Sequence, residues 1–173
     1  MTPYEYMLAT RETAIYPKEV ALPYLVLGLT GELGELILTD VADTENFTKE
    51  TGDIMWYCFR IMDELGFTAK DEWRFISPPT LAAPSTPFMS FVSAYGAVSN
   101  LAEVAKKSIR DSNGTVPGDK VLLSYNCVLI VLGLLDGYAS SVGLTLEQCA
   151  IANIEKLMSR KSRNVIQGSG DDR

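Results

Sequence analysis

Four carboxylates stand in two pairs with helical spacing: Glu32 and Glu35 in the run G-E-L-G-E-L, and Glu50 and Asp53 in K-E-T-G-D-I-M-W-Y. Residues i and i+3 leave an α-helix on the same face, so each pair projects together. Like charges that close raise each other's ionisation cost unless a cation lies between them. Hard divalent ions such as Mg²⁺ take oxygen ligands and commonly bridge carboxylates to substrate phosphates. Two such pairs, on helices joined by a short loop, could hold one or two ions. Each pair also has a plainer explanation. Glu32 and Glu35 could be a solvated acidic face, and Glu50 and Asp53 could answer the positive end of a helix dipole.

Basic groups recur later with similar spacing. Lys106, Lys107 and Arg110 follow Glu103 at i+3, i+4 and i+7, and Asn153, Lys156 and Arg160 fall at i, i+3 and i+7. Either stripe could grip phosphates, with Lys as a point charge and Arg as a fork. The simpler readings are a solvated face paired with Glu103 for the first, and cations near a helix C-terminus for the second.

The elements that must position these groups are helical. Strand signals are weak, whereas apolar periodicity predicts helices at about 3–14, 22–41, 45–66, 87–110, 118–142 and 145–162. The expected fold class is therefore all-α, a helical bundle. In the second helix, Leu25, Leu29, Leu33 and Leu36 form an apolar stripe beside one that holds Gly28, Gly31, Glu32 and Glu35. A helical glycine costs about 1 kcal/mol against alanine. Three of them (Gly28, Gly31, Gly34) therefore imply close approach of a helix or ligand. Ser77 to Pro87, rich in Pro, Ser and Ala, reads as a linker, and 168–173 as a frayed tail.

With 47% hydrophobic and 21% charged residues, the chain has an ordinary soluble balance, enough for one substantial core or two small repeats. A net charge of −7 argues against broad contact with nucleic acid, though metal ions could still bring in a small anionic substrate. The absence of histidine excludes imidazole catalysis and histidine-bound zinc. Cys58, Cys127 and Cys149 have no metal-type spacing and read as reduced thiols of a cytoplasmic protein. The N-terminus shows no secretory leader, and the apolar run Cys127 to Leu135 is too short to span a bilayer, so no membrane partner is expected.

The linker separates halves with matching landmarks. Gly28 precedes Glu35 by seven residues, as Gly96 precedes Glu103; Asp53 precedes Gly66 by thirteen, as Ile130 precedes Gly143. Aligned so, Asn100 and Glu103 stand opposite Glu32 and Glu35, while Cys127 and Ile130 replace Glu50 and Asp53. The pattern suggests a duplication in which the second copy lost its cation ligands and gained a basic stripe. The expected division is 1–76 for the intact repeat, 77–87 for the linker and 88–173 for the degenerate one, all in one compact unit.

E-x-x-E followed by E-x-x-D, with the flanking words T-A-I-Y-P (13–17), L-G-L-T-G-E-L-G-E (27–35) and E-T-G-D-I-M-W-Y (50–57), resembles the MazG-like all-α nucleoside triphosphate pyrophosphohydrolases. The ending N-I-E-K-L-M-S-R-K-S-R-N-V-I-Q-G-S-G-D-D-R (153–173) is similar as well. The chain departs from the compact family layout, because A-K-K-S-I-R-D (105–111) and the N-x-x-K-L ending occur only in the second half. The resemblance implies two MazG-like repeats forming an intrachain pseudo-dimer, with a homodimer as a further assembly. It also implies Mg²⁺, or alternatively Mn²⁺, held by Glu32, Glu35, Glu50 and Asp53. Acidified water would attack the α-phosphorus of a nucleoside triphosphate, with Glu35 to orient or deprotonate it. Lys106, Lys107, Arg110, Asn153, Lys156 and Arg160 would bind the substrate, and Tyr16 and Tyr57 would flank the base. Core packing is the stronger reading for Trp56. Two rival classes stand beside the enzyme: a nucleotide-binding or regulatory protein without turnover, and a structural helical module.

Overall fold

A computed structural model describes residues 1–76 and 87–167. The expected linker at 77–87 and the tail at 168–173 thus lie outside the described residues, except for Pro87, where a helix begins. Among the described residues there are six α-helices: α1 (Pro3–Arg11), α2 (Ala21–Leu38), α3 (Thr44–Glu64), α4 (Pro87–Ser112), α5 (Gly118–Ser141) and α6 (Leu146–Ser162). Among the described residues there is no strand, so the all-α expectation holds.

Local chemistry sets the helix ends. Thr2 and Glu5 form a reciprocal capping box that starts α1, with Pro3 at its first position, and Thr145 and Gln148 do the same for α6. α1 stops at Arg11 rather than 14. The amides of Thr13 and Ala14 turn back to the carbonyls of Thr10 and Arg11, and Pro17 soon follows. α2 stops at Leu38 rather than 41, because the Asp40 carboxylate takes the Ala42 amide at 2.9 Å and Asp43 caps α3 through the Asn46 amide. α3 and α5 end alike. Gly66 (φ +82°) and Gly143 (φ +79°) adopt the left-handed conformation, and the amides of Phe67 and Leu144 bond to the carbonyls of Met62 and Ala139.

α2 packs on α3 and α4 on α5, with α2 also against α4 and α3 against α5; α6 and α1 lie on α3 and touch each other. α3 is therefore the central helix. Phe47, Ile54, Met55, Cys58, Phe59, Ile61 and Met62 are all fully buried along it, each contributing about 1.5–3 kcal/mol of apolar burial for the large side chains. The expected stripe of Leu25, Leu29, Leu33 and Leu36 is buried in α2. The three cysteines are free and buried. Lys18–Leu38 and Gly118–Ser141 are long and apolar enough to cross a membrane by length and composition, but in this fold both pack as helices of the bundle.

Candidate active site

The approach of α2 to α3 is set by one glycine. A Cβ on Gly28 would stand 2.2–2.6 Å from the Tyr57 ring and hydroxyl, so the ring occupies space that a side chain would take. Gly31 and Gly34 do not share this role, because a Cβ at either meets nothing within 4 Å. Among the described residues, the close approach of a neighbouring helix expected at these glycines occurs at Gly28 and not at Gly31 or Gly34. The other two are exposed.

With the helices that close, Glu32 and Glu35 of α2 meet Glu50 of α3, each offering an oxygen within 4.8 Å of the other two. Glu50 is buried, Glu32 half-buried and Glu35 exposed. Burial, together with the charges of Asp53, Glu35 and Glu50, pushes the Glu32 carboxyl up to about 8, and Lys156 opposes the rise. Glu50 is only 6% exposed, so its carboxylate faces the other acids rather than bulk solvent.

Asp53 lies one turn beyond Glu50 and is engaged by α6. Asn153 Nδ2 donates to its Oδ1 at 2.7 Å, and Lys156 Nζ donates to its Oδ2 at 2.5 Å. α6 comes this near because residue 52 is glycine; a Cβ there would be 2.7 Å from Asn153 Cβ and 3.1 Å from the Cys149 carbonyl oxygen. From α1, the buried Tyr6 hydroxyl donates to Asn153 Oδ1 at 2.9 Å, with the Gly52 carbonyl oxygen at 3.3 Å. Burial, then the Asp53 charge, holds that phenol neutral.

A cleft of about 480 Å³ opens beside these groups, a size ordinary for small-ligand sites. Glu32 and Asp53 line it, as do Arg160 and Leu157 from α6. Its aromatic wall is a closed circuit of four rings. Tyr16 lies 5.2 Å from Tyr24, Tyr24 6.5 Å from Tyr57, Tyr57 5.0 Å from Trp56, and Trp56 6.2 Å from Tyr16, between centroids. Trp56 is 8% exposed and its indole N–H donates to Thr13 Oγ1 at 2.9 Å, which suits packing more than contact with a ligand. The Tyr16 hydroxyl donates to Glu64 at 2.8 Å and accepts from Arg60 Nε at 2.9 Å. Arg60, itself 3% exposed, also pairs with Asp63. Burial holds the phenols of Tyr16 and Tyr57 above their usual range, so both are neutral.

The structure thus gathers Glu32, Glu35 and Glu50, sets Asp53 outside that trio but with Glu32 on the cleft that Arg160, Tyr16 and Tyr57 line, and brings Asn153 and Lys156 onto Asp53. It does not bring Lys106, Lys107 and Arg110 to the cleft. Lys106 and Lys107 pair with Glu103, and Arg110 pairs with Asp111, all on the exposed face of α4. α4 spends its apolar stripe of Ala94, Ala97, Val98, Leu101, Val104 and Ala105 inward, which leaves the basic stripe in solvent. Sequence reasoning missed Tyr6, Tyr24 and Gln167. Tyr24 carried a usable signal, since it falls four residues before Gly28 and eight before Glu32 on one helical stripe. Gln167 reaches the cleft because Asn164 (φ 58°) ends α6 in a left-handed turn that no periodicity announces.

The class defined by these observations is an all-α bundle with an acidic cluster beside an aromatic cleft. No family model, curated protein or solved structure matches the chain.

Proposed function

We propose that the protein is a Mg²⁺-dependent nucleoside triphosphate pyrophosphohydrolase of the MazG-like kind, releasing a nucleoside monophosphate and pyrophosphate. One observation carries this reading: Glu32, Glu35 and Glu50 gather their oxygens within 4.8 Å, and Glu32 carries that cluster to a cleft that Asp53, Arg160 and four aromatic rings also line. Two full negative charges at that separation repel by roughly 3.5 kcal/mol at an effective dielectric constant near 20. A cation removes that cost, and an all-carboxylate donor set suits Mg²⁺, with Mn²⁺ as an alternative. When bound, Mg²⁺ supplies positive charge to the phosphate chain and acidifies water.

The chain's own residues divide the remaining work. Glu35, the exposed acid of the cluster, receives the proton of the attacking water. Lys156 and Asn153 hold Asp53 at the rim. Arg160 presents its fork to the phosphates, and the rings of Tyr16 and Tyr57 flank the base. The duplication belongs to the same reading. The α2–α3 and α4–α5 pairings and the equal glycine stops at Gly66 and Gly143 support two repeats folded as an intrachain pseudo-dimer with one acidic site. Buried free thiols suit a reducing, cytoplasmic setting.

Titration with Mn²⁺ alone tests the cluster directly. Glu50→Gln should weaken binding by more than about tenfold while leaving the helical content intact. Equal affinity in the variant would remove the cluster from consideration as a metal site.

A further inference from the structure

We infer that Tyr6, on the first helix and remote in sequence from the acids of α2 and α3, is a positioning residue for Asp53, acting through the amide of Asn153; this rests on the metal-site reading above. Asn153 is 2% exposed and lies between two fixed partners. Its Oδ1 accepts from the Tyr6 hydroxyl at 2.9 Å, and its Nδ2 donates to Asp53 Oδ1 at 2.7 Å. A buried amide can satisfy these neighbours in only one orientation. Turned by 180°, it would set its oxygen against the Asp53 carboxylate, an acceptor against an acceptor.

Tyr6 itself cannot drift. It is 0% exposed, its ring meets Phe59 edge-on at 4.9 Å, and Trp73 lies 6.2 Å away. The Gly52 carbonyl oxygen, 3.3 Å from the hydroxyl, belongs to the residue just before Asp53. One phenol therefore reaches both the backbone before the acid and the amide that holds its side chain. Lys156 bonds the other carboxylate oxygen, and Asn153 holds the group at Oδ1. Partners one bond removed from a ligand commonly change metal affinity or rate by about 10–100-fold when lost.

The test is a double-mutant cycle of Tyr6→Phe and Asn153→Ala, read by Mn²⁺ titration and by the Mg²⁺ dependence of pyrophosphate release. Tyr6→Phe should raise the Mg²⁺ concentration for half-maximal rate by about tenfold. In the Asn153→Ala background it should add nothing, because its route to Asp53 is already cut. A pure packing role would instead lower the melting temperature without moving the metal dependence, and that result overturns the inference. So do effects of the two substitutions that multiply. If Tyr6→Phe does not fold, Asn153→Ala alone decides: unchanged Mn²⁺ affinity overturns the relay. A wild-type chain that neither binds Mn²⁺ nor releases pyrophosphate sinks the metal-site reading and the relay with it, whereas an active wild type with an unaffected Tyr6→Phe sinks the relay alone.

Discussion

Lys156 Nζ stands 2.5 Å from Asp53 Oδ2, a contact between α6 and α3 that spans 103 residues of chain. The two side chains are 16% and 20% exposed, so solvent screens the pair only in part. Lys156 also eases the ionisation of Glu32. Lys156→Met keeps the aliphatic stem and removes the charge. A charge-assisted hydrogen bond is worth about 1.5–3 kcal/mol, so the catalytic rate should drop about 10–100-fold. Hydrolysis assays at saturating Mg²⁺ check this, and an unchanged rate would take Lys156 out of the site.

The glycines of α2 should separate cleanly. At Gly31 and Gly34 an added Cβ meets nothing, so Gly31→Ala and Gly34→Ala should each stabilise the helix by about 0.5–1 kcal/mol. For a chain of this length that is a rise of about 1–4 °C in melting temperature. Gly28→Ala should do the opposite, because its Cβ would fall 2.2 Å from the Tyr57 ring. The ring must shift within the cleft it lines, so substrate affinity should suffer along with about 1–3 kcal/mol of stability. Melting curves of the three variants decide the matter, and a common sign for all three would refute the geometry.

Glu32 gives a pH signature with a defined direction. Its folded carboxyl is held up to about 8 against an ordinary 4.5, chiefly by burial and then by Asp53, Glu35 and Glu50. The folded state therefore binds more protons than the unfolded one between those values. The stability tied to this group is complete below about pH 4.5 and disappears as pH rises through about 8. In metal-free buffer with a chelator, the wild type should lose melting temperature across that window, and Glu32→Gln should lose less. Added Mg²⁺ should reverse the slope, since metal and proton compete for one carboxylate. Parallel slopes for wild type and variant would mean that another group carries the effect.

Arg60 offers a check on the aromatic wall. It is 3% exposed and binds the Tyr16 hydroxyl, Asp63 and Glu64. Arg60→Met would leave those acids without a buried counter-charge and Tyr16 without one of its two hydroxyl partners. Removing one member of a buried ionic cluster costs about 3–5 kcal/mol; Arg11, which also pairs with Asp63, should keep the loss near the lower end. Chemical denaturation measures it, and a loss below about 1 kcal/mol would show the cluster to be neutral for stability.

The fold was largely legible because periodicity reports each helix by itself. Helices at 87–110, 118–142 and 145–162 were expected and occur as Pro87–Ser112, Gly118–Ser141 and Leu146–Ser162. The ends that moved did so through local bonds that periodicity does not see, backbone turns after α1 and the Asp40 carboxylate on the Ala42 amide after α2. The acidic cluster was legible from spacing on two adjacent helices. What spacing cannot give is which neighbour covers a face. Lys106 and Lys156 have comparable patterns in sequence, yet α4 turns the first outward to Glu103 and α6 turns the second onto Asp53. Tyr6 lay beyond reach for the same reason, since its partner Asn153 is 147 residues away.

The central claim is that the acids of α2 and α3 hold a divalent cation that serves nucleotide hydrolysis. The most direct measurement is pyrophosphate release with Mg²⁺, across common, deoxy and modified nucleoside triphosphates, by the wild type and by Asp53→Asn. Release from at least one triphosphate, abolished by a chelator and reduced by at least about 100-fold in Asp53→Asn, is the expected result. No release from any of them, or release that Asp53→Asn leaves intact, would contradict it.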